Sequence, residues 1–328
     1  MLFFFRNNHF STALPLLLYV VLTHGAALLG KVQADQLALV DGGLLYHAMF
    51  GWAKDQAFFS AVAATVLVFF QALQINRLTD EFRLMGERSW LPGLFYALAA
   101  ACLPDFLFLS PPLVAASFIP IAMRRIFQSY QKLNGAAYVL DAALWTTVGS
   151  LFYPPMVFLL IAAIAGVFTM RTFSFKDQWV FVTGILVPLV LGWLGFFWMD
   201  QGTAFLEGQF GNLFGLYRFN PELNSYTILK AVLLAAMLLF VLLNSSGFFY
   251  RKLIQGQKSV TTLYWFMIVA GAAVLLQGDL LPAHFVLLMP SVGIFFAMTF
   301  GAMRNRMIAE ISHMILLGFV LFVQYLPN

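Results

Sequence analysis

The sequence predicts an all-α, polytopic membrane protein, and three observations carry that prediction. The chain has 328 residues, of which 62% are hydrophobic and only 10% are charged, and its mean hydropathy is +0.86. These values lie far outside the range of soluble domains. The apolar stretches run for about 20 residues, the length that a helix needs to cross a bilayer. Basic residues also alternate from one connection to the next. We therefore expect a single integral membrane domain over residues 1–328, built as a bundle of transmembrane helices.

About eleven spans are predicted, and most of the connections between them are short. The fourth span contains Pro111, Pro112 and Pro120. Because proline interrupts a helix, we expect this span to be kinked or partly re-entrant. In chain order the predicted spans are 13–30, 57–75, 91–108, 109–123, 136–152, 153–170, 178–198, 226–249, 261–279, 283–302 and 307–326.

The distribution of lysine and arginine predicts the orientation of the chain. Four of the 18 basic residues fall on one face of the predicted bundle, and the other fourteen fall on the opposite face. The four are Lys31, Lys54, Arg218 and Lys230. Short loops rich in Lys and Arg stay in the cytoplasm, so the amino terminus is predicted to be cytoplasmic and the carboxyl terminus external. Topology and anionic lipid explain the net charge of +4. No nucleic acid partner is therefore expected.

Residues that hold metals or form disulfides are sparse. Cys102 is the single cysteine, and the five histidines include no pair at i, i+4. The sequence therefore predicts no built-in metal site and no cofactor. A divalent cation is compatible with the external carboxylates, but nothing in the sequence indicates one.

Two connections are long, at about 31–56 and 199–225, and the charge distribution places both outside. In the first, apolar residues recur at helical spacing and are interrupted by Gly42-Gly43. This pattern predicts an amphipathic helix at the membrane interface. In the second, glycines alternate with aromatic residues, so we expect interfacial structure that dips into the membrane or caps a cavity. The sequence does not decide whether the two connections meet.

The first long connection carries the candidate catalytic groups. A carboxylate held at an interface beside His and Tyr can act as a general base, which makes Asp35, Asp41 and His47 the predicted catalytic residues. An arginine can hold a phosphate through paired hydrogen bonds. The predicted substrate-binding residues are Tyr46, Arg218, Glu222, Asp279 and His284. Structural roles are the alternative, because an Asp in such a loop is more often a helix cap or a solvated residue.

Several short motifs resemble a known family. They are Asn76 to Thr79 after the second span, Leu109 to Pro111 at the start of the fourth, and Asp141 followed by Leu151 to Pro155. Together they resemble a family of multi-pass inner-membrane proteins of Bacteroidota that has no established activity. The resemblance implies a location in the bacterial inner (cytoplasmic) membrane.

More remotely, the layout resembles the C-type glycosyltransferases and related polysaccharide polymerases. Those proteins are polytopic, and their first external loop carries acidic residues and amphipathic helices. Many also have a late external turn that leads into a span, as His284 to Pro290 does here. The chain departs from them in three respects. Asp35 and Asp41 stand apart where many such enzymes carry an acidic pair. The large external domain that many of them have is not expected here, and the second long connection carries few charges.

Three functions are therefore open at the level of sequence. The remote resemblance implies a transferase whose donor is a polyprenyl-phosphate-linked sugar, acting at the external face among membrane lipids. The alternative is a non-enzymatic integral subunit of an envelope secretion or motility assembly, with envelope proteins as its partners. The third function is a transporter, for which Pro111-Pro112 and Pro154-Pro155 would break the spans. Few charged residues line the spans, which counts against the transporter.

Overall fold

A computed structural model describes residues 1–6, 12–32, 40–132, 135–172, 174–211, 213, 225–244, 247, 253–277 and 281–326, and the side chains at 225–227 are not described. Within these ranges the chain forms helices and turns, and no residue lies in a strand. The helices are α1 (Leu2–Arg6), α2 (Ala13–Thr23), α3 (Gly25–Leu28), α4 (Leu44–Phe50), α5 (Ala57–Glu81), α6 (Leu91–Ala99), α7 (Pro111–Ala116), α8 (Phe118–Gln128), α9 (Ala136–Phe152), α10 (Leu159–Met170), α11 (Phe175–Phe197), α12 (Gly202–Phe210), α13 (Ser225–Leu243), α14 (Ile254–Leu275), α15 (Met289–Ala302) and α16 (Arg306–Tyr325). Short 3₁₀ helices occupy Gly51–Lys54, Pro104–Phe106, Pro154–Phe158 and Pro282–Leu288.

Five helical segments among the described residues are long and apolar enough to cross a membrane, as expected of a membrane protein. They are Ala57–Glu81, Phe175–Phe197, Ile254–Leu275, Pro282–Ala302 and Arg306–Tyr325. Four shorter apolar helices cover Ala13–Thr23, Ala136–Phe152, Pro154–Met170 and Ile228–Leu243. The all-α class is thus confirmed for the described part of the chain. The count of eleven spans and the orientation stay predictions.

The predicted spans 91–108 and 109–123 take a broken form. α6 ends at Ala99, and turns with one 3₁₀ helix lead from there to α7. Pro104 opens that 3₁₀ helix and Pro111 opens α7, which are first-turn positions where proline is favoured. With nine residues, α6 is only about 14 Å long, so it does not cross a bilayer by itself. We call residues 100–110 the break.

The break lies in the interior of the protein. Every residue from 91 to 109 is buried, and α6 packs lengthwise against α15. A Cβ atom on Gly293 of α15 would lie only 2.6 Å from the Cα of Tyr96. Glycine at this position therefore allows the two helices to approach closely, as small residues do between membrane helices.

Side chains from other helices satisfy the backbone of the break. Leu109 donates its N–H to the hydroxyl of Ser60 at 3.0 Å, and its carbonyl accepts from the Tyr46 hydroxyl at 3.0 Å. Gln324 of α16 donates to the carbonyl of Ala101. Non-helical backbone at membrane depth is tolerated only where protein or water pairs it, and here protein does so.

A second polar group joins α5 to α6 and α7. The Gln71 amide donates to the Leu113 carbonyl at 2.8 Å and to the Ser117 hydroxyl at 2.7 Å. Its oxygen accepts from the Tyr96 hydroxyl at 2.5 Å. Both ends of this buried amide are therefore paired within the protein.

The motif Asn76 to Thr79 seats the start of α6 on α5. The side-chain oxygen of Asn76 accepts from the Gly93 N–H at 2.7 Å, in the first turn of α6. A Cβ on Gly93 would lie 2.4 Å from the amide nitrogen of Asn76. These residues of the motif therefore make a packing contact.

Contacts between connections define two ends of the protein. We call the end that contains α1, the connections 82–90 and 303–305, and residues 171, 172 and 174 the α1 end. The opposite end, which contains α4, α12 and the break, is the α4 end. Contacts at the α1 end join Arg6 to Phe300, Trp90 to Phe5, Arg124 to Glu81 and Lys258 to Met170. Contacts at the α4 end join Gly43 to Phe152, Tyr46 to Leu109, Lys230 to Asp105, Tyr153 to His284 and Gln209 to Ser150. Each contact joins segments that the charge distribution assigns to the same face.

Replacing Gly293 by alanine is expected to lower the free energy of unfolding by about 1–3 kcal/mol, because the added methyl group overlaps the Tyr96 backbone. Gly318→Ala in α16 is the matched control, since nothing lies within 4 Å of its Cβ position. The control is expected to be neutral or stabilising by up to about 1 kcal/mol, because alanine favours the helix. The measurement is the thermal midpoint of the detergent-solubilised protein. Equal midpoints for the two variants would contradict the close approach of α6 and α15.

Candidate functional site

The candidate site lies at the α4 end, and its position is set by the backbone just before α4. Gly43 donates its N–H to the carbonyl of Phe152 at 2.9 Å. A Cβ at this position would lie 2.1 Å from the carbonyl oxygen of Leu151, so only glycine fits. The Gly42-Gly43 pair that interrupts the apolar pattern therefore marks the start of α4, and it fastens this helix to the end of α9.

The two long connections meet at this end. Leu44 and Leu45 of α4 pack in one apolar cluster with Phe205 of α12. Gln209 of α12 donates to the Ser150 carbonyl at 2.9 Å, which fixes α12 to the same end of α9. Both connections thus contain a helix, and the two helices share one surface. The predicted interfacial position of these helices stays a prediction.

Two of the three predicted catalytic residues lie in the described part of the chain. Asp41 and His47 are both exposed, one just before α4 and the other within it. The ring of His47 lies edge-on to the ring of Tyr46, with 5.8 Å between the centroids. Their side chains are therefore accessible on the segment that packs against the second long connection.

Tyr46 is buried, although it neighbours these exposed groups. Its hydroxyl donates to the Leu109 carbonyl, and its ring packs against Phe50. Burial raises the pKa of Tyr46 to about 12, so the phenol keeps its proton at neutral pH. The hydroxyl thus fastens α4 to the break, and the contact with substrate that the sequence predicted stays a prediction.

His284 is buried and has a side-chain partner. It lies on the 3₁₀ helix Pro282–Leu288, and its Nδ1 is 2.5 Å from the Tyr153 hydroxyl. The two rings also stack, with centroids 5.8 Å apart. The 3₁₀ helix of His284 packs against the break and the start of α7, so this pair is buried at the α4 end. Its predicted role in substrate binding is untested.

An ion pair that the sequence analysis did not include in the site lies at the same end. Lys230 of α13 places its Nζ 2.8 Å from Oδ2 of Asp105 in the break, and the two side chains are only 11% and 6% exposed. Each is an isolated charge within an apolar stretch, and that is the one signal that points to them. A buried charge needs an opposite partner, but the sequence does not say which residue provides it.

The remaining predicted residues lie outside the described part of the chain. They are Asp35, Arg218, Glu222 and Asp279. Within the described ranges, no three His, Cys, Asp or Glu side chains are arranged to hold a metal ion.

Two cavities lie at the α1 end, away from the candidate site. One has a volume of about 380 Å³ and is lined by residues such as Asn76, Arg88 and Trp90. The other has a volume of about 1070 Å³. Neither is lined by Asp41 or His47.

Comparison of the chain with protein-family models, curated proteins and solved structures gave no match. Function is therefore inferred from the geometry of the residues.

Lys230→Met is expected to lower the free energy of unfolding by about 3 kcal/mol, because it leaves the Asp105 carboxylate buried without its cation. The double variant Lys230→Met/Asp105→Leu is expected to regain most of that loss, since both charges are replaced by apolar groups. Chemical unfolding of the solubilised protein measures both effects.

The matched control is Arg124→Gln, which breaks a half-exposed ion pair with Glu81 and is expected to change stability by less than about 1 kcal/mol. The single variant Asp105→Leu completes the cycle. If the stability loss of the double variant equals the sum of the losses of Lys230→Met and Asp105→Leu, a paired role for the two residues is contradicted.

Proposed function

We propose that the chain is a glycosyltransferase-like protein of the bacterial inner membrane that uses a polyprenyl-phosphate-linked sugar at its α4 end. The observation that carries the proposal is the contact between the two long connections, where Leu44 and Leu45 pack with Phe205. Asp41 and His47 are exposed on the segment of the first connection that makes this contact. The positive-inside rule supports an external α4 end, because this end holds Lys54 and Lys230 and few other described cations.

The proposed reaction transfers the sugar to an acceptor hydroxyl. The hydroxyl oxygen forms a bond to the anomeric carbon, the bond between that carbon and the phosphate oxygen breaks, and polyprenyl phosphate leaves with the bonding electrons. The hydroxyl proton passes to the Asp41 carboxylate, which acts as general base. His47 lies on the same exposed segment and would orient the acceptor.

A lipid-linked donor needs an apolar path beside the site, and the end of α11 supports one. Phe197, Trp198 and Met199 are 54%, 87% and 65% exposed, directly before α12. Aromatic residues of this kind are typical of the membrane–water interface, where a polyprenyl chain meets its headgroup. The headgroup of a donor lying along α11 would then face α12 and α4.

The non-enzymatic subunit ranks second, and α11 is the observation that favours it. Only 22% of the apolar stretch of this helix is buried within the chain, so most of its surface is left for lipid or another protein to cover. Lipid covers such a surface as well as a partner protein does. The transporter has less support, since the polar side chains of Gln71, Tyr96 and Ser117 are bonded to one another rather than open to a path.

Asp41→Asn is expected to lower the rate of sugar transfer by about 100-fold or more, because the amide cannot accept the proton. Asp55→Asn is the matched control, since Asp55 is also an exposed acid of the first long connection, and its rate is expected to stay unchanged. The assay reconstitutes the full chain in vesicles with lipid-linked sugars extracted from the host and measures released polyprenyl phosphate by mass spectrometry. The thermal midpoint of each variant is measured as a control for folding, and both are expected to match the unmodified chain.

Two results would refute the proposal. One is release of polyprenyl phosphate at the same rate from both variants and the unmodified chain. The other is absence of release, with purification of the chain in a defined complex of envelope proteins, which would establish the subunit role.

A further inference from the structure

The larger cavity at the α1 end has a basic rim and a mixed apolar and polar wall. Its volume is about 1070 Å³, and it lies between the connection after α5, the start of α14 and the end of α15. Arg6, Arg83 and Arg306 line it, together with apolar residues such as Leu253 and Met298. A cavity of this size, with apolar walls and a few convergent polar groups, is typical of ligand sites.

Acidic residues of the lining leave a positive balance. Glu81 accepts from the guanidinium of Arg124 at 2.6 Å and from Gln128 at 2.8 Å, so its charge is already paired. Glu87 is the other acid of the lining. Arg6 is held in place, because it donates to the Phe300 carbonyl at 3.2 Å.

Arg83 occupies a backbone position that normally belongs to glycine. Its φ is +49°, in the left-handed region. Leu84 donates its N–H to the Thr79 carbonyl at 3.0 Å, and Arg83 donates to the Asp80 carbonyl at 3.4 Å. These bonds form the Schellman motif that ends α5, and glycine is the usual residue at the left-handed position. The fold by itself therefore favours glycine here, and arginine adds a guanidinium to the cavity.

We propose that this cavity binds a phosphate-bearing group, with Arg83, Arg306 and Arg6 as its cationic contacts. Guanidinium groups match phosphate oxygens in geometry and charge. The phosphate belongs either to the headgroup of an anionic lipid or to a soluble compound, and the apolar wall formed by residues such as Met298 favours the lipid. This site is separate from the α4 end, so it stands or falls independently of the transferase.

The test uses the full chain in detergent and three probes, namely dioctanoyl phosphatidic acid, dioctanoyl phosphatidylcholine and inorganic pyrophosphate. Binding is measured by native mass spectrometry and by the shift of the thermal midpoint. Arg83→Gly is expected to weaken binding of phosphatidic acid about tenfold, since it removes a charge-assisted hydrogen bond. The same substitution relieves the left-handed backbone and is expected to leave the midpoint of the free protein equal or higher.

The matched control is Asp200→Gly. Asp200 has a φ of +56° and the same pair of backbone bonds at the end of α11, with Gln201 donating to the Phe196 carbonyl at 2.9 Å. It is expected to relieve the backbone equally while leaving binding unchanged. Arg306→Gln provides a further variant of the lining and is expected to weaken binding several-fold.

The probes separate the two sources of phosphate. Weakened binding of phosphatidic acid alone supports a lipid headgroup, and equal weakening for pyrophosphate supports a soluble phosphate compound. The proposal is overturned if phosphatidylcholine and phosphatidic acid bind equally well in every variant, or if neither phosphate probe binds.

Discussion

Between α6 and α7, turns and one short 3₁₀ helix pair only some of the backbone N–H and C=O groups that are removed from water. Each unpaired group would be costly at membrane depth, so the surrounding helices must supply partners. Ser60 and Tyr46 pair both groups of Leu109, and Gln324 pairs the carbonyl of Ala101. These donors and acceptors come from helices at opposite ends of the sequence. The break therefore requires that α4, α5 and α16 pack around it with these side chains in bonding position.

The candidate site inherits its position from that requirement. Tyr46 pairs the break and also belongs to α4, so α4 is drawn to the centre of its end of the protein. The bond from Gly43 to Phe152 then fixes its direction, and α12 packs on the outer side through Phe205. Asp41 and His47 are exposed, whereas the buried Gly43 and Tyr46 of the same segment bond to Phe152 and to the break. Burial and exposure in α4 thus divide structural residues from those available for chemistry.

The sequence predicts the composition of the elements better than their assembly. Hydropathy identifies the helical class, and Pro111 with Pro112 indicates an interruption, since these effects act within one turn of the chain. Pro104 made the third span discontinuous as well, because turns and a 3₁₀ helix follow α6 and protein replaces the lost helical bonds. Distant parts of the chain meet where Leu44 packs against the apolar cluster that contains Phe205, and where Lys230 pairs with Asp105. Helical periodicity in the sequence does not reveal such pairs. It also does not reveal the cavity that separate connections line at the α1 end.

The positive-inside rule explains why arginines are frequent at the α1 end, but it does not explain the backbone position that each one occupies. The positive-inside effect depends on how many basic residues a short loop carries, and it is indifferent to their exact backbone positions. Arg88 in the same connection satisfies it equally well. Arg83 instead occupies the left-handed position of a helix end, where every residue except glycine carries a steric penalty. Sparsely populated backbone conformations cluster at binding sites, because the ligand contact offsets their cost. Arg83 thus adds its guanidinium to the lining of the cavity at a backbone cost that contact with a bound phosphate would offset.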